Sequence, residues 1–154
     1  MPVLTVFIAG LHVIFAIAWL GSALFFAVVL GPMFKELSLQ TRNEFMVKFL
    51  PKVERFEMLV STLTIAFGII LAFLISAFNP FIITGMSFGI LAYLIGLLLM
   101  TPLAREMMNL MSVRRDENTL KELIRVNRRF GQASMIELVF MLLAFATMVT
   151  SAFI

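Results

Sequence analysis

The chain has 154 residues, of which 62% are hydrophobic and 14% charged, and its formal net charge is +3. Soluble domains are about 45–50% apolar, so this composition excludes an ordinary soluble protein and indicates an integral membrane protein of one domain. The chain contains no cysteine, which excludes disulfides, thiolate metal sites and cysteine nucleophiles.

Four apolar segments are long enough to cross a membrane, for which about 20 residues suffice. We predict spans at about 3–30, 58–78, 81–103 and 130–154. The first segment is longer than the apolar core of a signal peptide and has no Lys or Arg before it, so we expect it to stay in the mature protein. Asn79-Pro80 is typical of a tight turn and predicts an antiparallel pair of spans two and three. The predicted fold is therefore all-α, an up-down four-helix bundle in the membrane.

The connections between spans one and two, and between spans three and four, hold every Lys and Arg of the chain. The positive-inside rule predicts that both connections are cytoplasmic and both termini outside, in the plasma membrane. Patterns typical of a capping box begin at Thr41 and Thr119 and predict helical extensions of the bundle on the cytoplasmic side. Pro51 is expected to end or kink the first of these helices, or to open the next one. The basic residues suit the headgroups of the lipid bilayer, and no nucleic-acid motif accompanies them.

His12 is the only histidine and lies inside the first span. With a rise of about 1.5 Å per residue, His12 lies about 13 Å below the outer surface of the membrane. An ionisable side chain at this depth is costly to bury and marks a functional site by default. Trp19 follows at i+7 on the same face of the helix. Met86 and Met148 lie about 8–9 Å deep on spans three and four, so either thioether is a candidate partner of the imidazole.

Three interpretations of His12 stay open at this point. Imidazole is a common axial ligand of b-type haem, with Met86, Met148 or the His12 of a second copy as the other ligand and Trp19 as a wall. Imidazole with thioether also suits Cu(I), although the 12 methionines are scattered as in ordinary packing. In the third interpretation no cofactor is bound, and a neutral His12 is hydrogen-bonded to a backbone carbonyl or a hydroxyl.

Glu137 is the only acidic residue inside a predicted span and lies about 26 Å down, near the cytoplasmic boundary. Arg55 and Arg105 lie just beyond the same boundary. We predict an ion pair of Glu137 with one of these arginines that closes the inner rim of the bundle. The alternative is a proton relay or an ion site.

The sequence of residues 11–26, LHVIFAIAWLGSALFF, places Trp19 seven residues after His12 and continues with small residues and an aromatic pair. It resembles the opening helix of CopD-like (copper resistance D) membrane domains and the first helix of the HemJ membrane protoporphyrinogen oxidases. Pro32 and a second span rich in Ser, Thr and Gly are similar to the CopD-like pattern: Ser61, Thr62, Thr64 and Gly68. The resemblance implies a four-helix membrane bundle whose first-helix histidine binds a metal or haem. The HemJ likeness implies that His12 is a haem ligand.

Together these features predict a small membrane protein that holds a b-type haem, or copper, through His12 for electron transfer or for haem and metal handling. We expect a homodimer or higher homo-oligomer with a redox or membrane-complex partner. A stand-alone enzyme is not expected, and an enzyme here would be a haem-dependent oxidoreductase. The alternatives are a CopD-like copper-binding or copper-uptake protein, a cofactor-free structural or assembly subunit of a membrane complex, and a transporter lined by His12, Tyr93 and Glu137.

Overall fold

The computed structural model describes residues 2–75, 79–112, 116–151 and 153, except for the side chain of Leu39. Within those ranges the chain is all-α, and four helices are long and apolar enough to cross a membrane. This confirms the predicted all-α four-helix bundle and a multi-pass membrane protein. The predicted span ends at residues 76–78, 152 and 154 lie outside the described residues.

The four helices extend beyond the predicted apolar spans into the charged connections. Their bounds are α1 at Val3–Glu36, α2 at Leu39–Ile75, α3 at Pro80–Ser112 and α4 at Glu117–Ser151. Helix α2 continues through Pro51, so this proline neither ends one helix nor begins another. In the described residues, the charged connections are therefore mostly helical extensions of the spans.

The capping boxes predicted at Thr41 and Thr119 are wrong by three residues. The hydroxyl oxygen of Ser38 accepts a hydrogen bond from the Thr41 amide at 3.2 Å, and a carboxylate oxygen of Asp116 accepts one from the Thr119 amide at 2.7 Å. Ser38 and Asp116 are themselves strong N-cap residues, and a cap serves the amide three positions later. The carboxylate of Asp116 is fully exposed, and these hydrogen bonds from Thr119 hold its pKa below the ordinary value.

Helices α1 and α3 each contain one π-helical segment, at Phe26–Leu30 and Gly96–Met100. In each case the next residue donates its amide to the carbonyl five positions earlier, and a proline follows at Pro32 or Pro102. A proline ring clashes with the carbonyl four residues before it and removes a hydrogen bond, so the widened turn lets the helix pass through the proline. The following residues are also alike, GPMFKE after the first segment and TPLARE after the second.

The bundle consists of two closely packed helix pairs, α1 against α2 and α3 against α4, with fewer contacts between the pairs. One buried cluster lies at the charged end of the bundle and contains Leu50, Ala104, Met107, Leu123 and Val126. A second lies nearer the middle and contains Trp19, Val60, Ala92 and Met141. Large apolar side chains cover the outside of all four helices, as expected for contact with a lipid bilayer.

Candidate functional site in the bundle

A cavity of about 390 Å³ lies between the two helix pairs, in the half of the bundle remote from the charged connections. Its size is in the range of small-molecule sites, and all four helices line it. His12 and Trp19 of α1, Met86 of α3 and Met148 of α4 all belong to this lining. We call it the histidine cavity, and it brings together the four residues that the sequence suggested for a cofactor.

The imidazole of His12 is fixed by one hydrogen bond across the first helix pair. Its Nδ1 atom lies 3.0 Å from the carbonyl oxygen of Thr64 in α2. A carbonyl only accepts, so Nδ1 carries a hydrogen and donates, and in the neutral ring Nε2 keeps its lone pair. Nε2 makes no hydrogen bond to any residue that the structure describes. The bond expected for a cofactor-free histidine is thus present, and it occupies only one ring nitrogen.

Gly68 leaves room for the imidazole of His12 to pack against α2. A Cβ atom added at Gly68 would lie 2.8 Å from His12 Cε1 and 3.1 Å from Nδ1, closer than ordinary van der Waals contact. Gly68 follows Thr64 by one helical turn, so the carbonyl that accepts the hydrogen bond and the glycine that makes room share one face of α2. Any larger residue here has to displace the ring.

Small side chains and Trp19 shape the rest of the histidine cavity. Ala16, Gly68, Gly89 and Ala144 contribute one small residue from each helix. The indole of Trp19 is buried, with 4% of the residue exposed. Trp19 also lines the neighbouring cavity, so it forms the wall between the two.

The histidine cavity opens to the lipid-facing surface of the bundle. Part of its lining is well exposed, including Val13 and Ile17 on α1 and Phe145 and Val149 on α4. These side chains are apolar and lie where the helix pairs are in sparse contact. A ligand of this cavity therefore has access from the hydrocarbon region of the membrane.

On the other side of Trp19 lies a smaller cavity of about 80 Å³, which we call the carboxylate cavity. Glu57 of α2 and Glu137 of α4 both line it and interact electrostatically. The Oε1 atom of Glu57 is buried and has no hydrogen-bond partner among the described residues. A Cβ atom added at Gly96 would lie 3.1 Å from Oε1 of Glu137, so the missing side chain of Gly96, the first residue of the π-helical segment, leaves room for this carboxylate.

Sequence reasoning missed Glu57 because the predicted second span begins one residue later. The spacing of four residues in this segment indicates that Glu57 faces the interior of the bundle. Glu57, Ser61, Thr64 and Gly68 follow at i, i+4, i+7 and i+11, which places them on one face of α2. That face is the interior face, because Gly68 contacts His12 and Glu57 lines the carboxylate cavity.

The ion pair predicted at the inner rim is not formed in the described part of the chain. Nε of Arg105 lies 3.6 Å from a carboxylate oxygen of Glu54, and no ion pair joins Glu137 to Arg55 or Arg105 among those residues. The Arg105 side chain is 70% exposed, whereas the carboxylate of Glu137 faces inward toward Gly96. Gly96 precedes Arg105 by nine residues of α3, about 13 Å of helix rise, so the two side chains lie at different levels of the bundle.

The residues suggested for a transport path divide between the two cavities. His12 lines the histidine cavity, whereas Tyr93 and Glu137 line the carboxylate cavity. The Tyr93 hydroxyl lies 3.2 Å from the Thr62 hydroxyl, within hydrogen-bond distance. Buried Trp19 stands between the two sets, so they do not share one open path in this structure.

A metal in the histidine cavity would depend on His12 and thioethers. Within residues 2–75, 79–112, 116–151 and 153, no group of three or more His, Cys, Asp or Glu side chains is arranged to hold a metal ion. Imidazole with two methionine sulfurs is a soft donor set that suits Cu(I) or haem iron rather than Zn²⁺ or Mg²⁺.

Comparison of the chain with models of known protein families, with curated proteins and with solved structures gives no match.

Proposed function

We propose that this protein binds a b-type haem through Nε2 of His12 in the histidine cavity and serves electron transfer or haem handling in the membrane. The observation that carries the proposal is the hydrogen bond from Nδ1 of His12 to the Thr64 carbonyl. Histidines that ligate metals almost always donate their other ring nitrogen to a carbonyl or carboxylate, which fixes the tautomer and orients the ring. His12 has that second hydrogen bond already in place.

The walls of the histidine cavity suit a flat apolar ligand. Four small residues line it, one from each helix, and Trp19 supplies a large aromatic surface. The opening between the helix pairs gives a membrane-dissolved ligand a way in. When bound, a haem supplies one-electron chemistry at its iron, while the protein sets orientation, second ligand and exclusion of water.

Two sources of the second axial ligand fit this site. Met86 and Met148 line the same cavity as His12, and either sulfur is chemically suitable. The other source is His12 of a second copy, because a twofold axis beside the open side of the cavity would bring two imidazoles to one ligand. The proposal therefore includes a homodimer as one of its two forms.

The distribution of charge supports an orientation for the proposed protein. The Lys and Arg residues that the structure describes lie toward one end of the bundle, and the histidine cavity lies toward the other. The positive-inside rule then places both termini outside the cell and the cofactor in the outer half of the plasma membrane.

Titration of the detergent-purified full chain with haemin, followed by the Soret absorbance, tests the proposal. His12→Asn retains a side-chain donor near the position of Nδ1 but removes the ligand nitrogen, whereas His12→Ala removes both. Ile14→Ala is the matched control, because Ile14 lies on the same helix and is 61% exposed on the lipid-facing surface. We expect both His12 variants to lose saturable binding and the control to keep it. Equal binding in His12→Asn and wild type would refute the proposal.

Copper is the second candidate, because Met86 and Met148 line one cavity with His12. It predicts stoichiometric copper after anaerobic loading with Cu(I), and loss of that copper in a Met86→Leu/Met148→Leu variant. Haem ligation through His12 of a second copy predicts that the same double variant still binds haemin. A colourless, metal-free protein that co-purifies with other subunits would instead support the structural role.

A further inference from the structure

A third cavity, of about 430 Å³, lies at the charged end of the bundle and serves none of the functions proposed above. The end of α1, the start of α2, the end of α3 and the start of α4 all contribute to its lining. We call it the basic cavity, because Lys35 and Arg42 are part of its lining and no Asp or Glu of the described chain is.

The two cations of the basic cavity are not neutralised by the protein. Neither Lys35 nor Arg42 forms an ion pair with another described residue, although both lie on helices that carry glutamates. Arg42 is half-buried and Lys35 is exposed. Two unpaired cations that line one cavity favour an anion with several oxygen acceptors, of which a phosphate is the common membrane example.

Asn43 supplies a second and independent indication of a ligand. It lines the basic cavity, only 5% of the residue is exposed, and its amide oxygen has no hydrogen-bond partner in the described structure. A buried amide oxygen without a donor is unfavourable, and such groups are nearly always satisfied by protein, water or ligand. Because a carbonyl oxygen only accepts, the missing partner must bring an O–H or N–H group.

The remainder of the lining is largely apolar and belongs to the buried cluster at the charged end of the bundle or packs against it. Met46, Met107, Leu123 and Phe130 are part of this surface, and Met107 is fully buried. The cavity thus combines an apolar wall, two cations and a buried acceptor. This combination suits an amphiphile with a hydrocarbon chain, a phosphate and a hydroxyl-bearing headgroup.

We propose that the basic cavity is a specific site for an anionic glycerophospholipid of the phosphatidylglycerol type. Lys35 and Arg42 hold the phosphate diester, the headgroup hydroxyl donates to the amide oxygen of Asn43, and the apolar wall receives an acyl or alkyl chain. The site is separate from the histidine cavity, so it holds whether or not His12 binds a cofactor.

Native mass spectrometry of the full chain in mild detergent tests this site with three lipids of identical chains. Phosphatidylcholine has no net charge, and phosphatidylmethanol has the charge of phosphatidylglycerol without its hydroxyls. We expect phosphatidylglycerol to bind about tenfold better than phosphatidylcholine and about threefold better than phosphatidylmethanol, from charge-assisted contacts and one hydrogen bond respectively.

Two variants separate these contributions. Lys35→Gln/Arg42→Gln is expected to abolish the preference over phosphatidylcholine, whereas the matched control Lys48→Gln/Lys52→Gln, which removes the same charge outside the cavity lining, preserves it. Asn43→Leu is expected to abolish only the preference over phosphatidylmethanol. Thermal unfolding of each variant establishes that it is folded.

Three results would overturn the proposal. An equal loss of preference in the Lys48/Lys52 control would show diffuse attraction to anionic lipid. An unchanged preference for phosphatidylglycerol over phosphatidylmethanol in Asn43→Leu would remove the hydroxyl contact. Displacement of the lipid by millimolar glycerol 3-phosphate would identify a soluble phosphate as the ligand in place of a lipid.

Discussion

The contact between Gly68 and the imidazole of His12 gives a sharp prediction for Gly68→Ala. The added Cβ would lie 2.8 Å from His12 Cε1, about 0.6 Å short of the 3.4 Å at which ordinary contact begins. The ring has to move away from α2, and its 3.0 Å hydrogen bond from Nδ1 to the Thr64 carbonyl then breaks or lengthens.

The expected size of the effect follows from three terms. Overpacking costs about 1–3 kcal/mol. The lost hydrogen bond costs about 1 kcal/mol. Replacing glycine by alanine inside a helix stabilises the folded state by about 1 kcal/mol. The free energy of unfolding should therefore fall by about 1–3 kcal/mol, by subtraction of the third term from the first two.

Equilibrium unfolding of the cofactor-free protein in detergent measures this change. Gly21→Ala is the matched control, since a Cβ atom at Gly21 meets nothing within 4 Å. We expect the control to be neutral or slightly stabilising, by up to about 1 kcal/mol. Haemin affinity should fall in Gly68→Ala as well, because the ligand ring is displaced.

A double-mutant cycle identifies the cause. In a His12→Ala background the imidazole is absent, so the added Cβ at position 68 no longer clashes with it. Gly68→Ala should then be neutral or stabilising, with a coupling energy between the two substitutions of at least about 1 kcal/mol. If Gly68→Ala destabilises the protein equally with and without His12, the proposed contact is not the reason, and the placement of the imidazole is wrong.

The remaining predictions concern single side chains. Glu137→Gln should raise the free energy of unfolding by about 1–3 kcal/mol because it removes one of two neighbouring, half-buried carboxyl groups, and a fall would contradict an unfavourable interaction of Glu137 with Glu57. Arg105→Gln should change the free energy of unfolding by less than about 0.5 kcal/mol, since the Arg105 side chain is 70% exposed and its Nε lies 3.6 Å from Glu54; a larger loss would point to a buried role for Arg105. Met86→Leu and Met148→Leu should each cost below about 1.5 kcal/mol. Only one of them should alter the haem spectrum if a thioether is the second ligand, and two altered spectra would exclude a single thioether ligand.

The number and class of the helices could be predicted from hydropathy alone, because about 20 apolar residues in succession have few other uses. The sequence pattern predicts the starts of α2 and α4 three residues too late. The backbone amides of Thr41 and Thr119 donate to the capping side chains, which belong to residues three positions earlier. Continuation of α2 through Pro51 could not be predicted, since tertiary packing decides whether a helix continues past a proline.

The histidine cavity was predictable in part. Depth along the helices suggested His12, Met86 and Met148 as neighbours, and the structure places them on one cavity. Depth did not identify the surroundings of Glu137. Its carboxylate packs at Gly96, which precedes Arg105 by nine residues of α3, about 13 Å of helix rise. Glu57 was not predicted as an interior residue for a different reason. A charged residue at the edge of an apolar segment is normally assigned to the solvent, and only its spacing to Thr64 and Gly68 reveals the interior face.

The visible absorption spectrum of protein purified in mild detergent from haem-sufficient cells tests the central claim most directly. The proposed role of His12 predicts a Soret band in the air-oxidised protein and sharpened longer-wavelength bands after reduction with dithionite, both absent from His12→Asn. Featureless spectra of wild-type protein, or identical haem spectra in wild type and His12→Asn, would contradict haem ligation by His12.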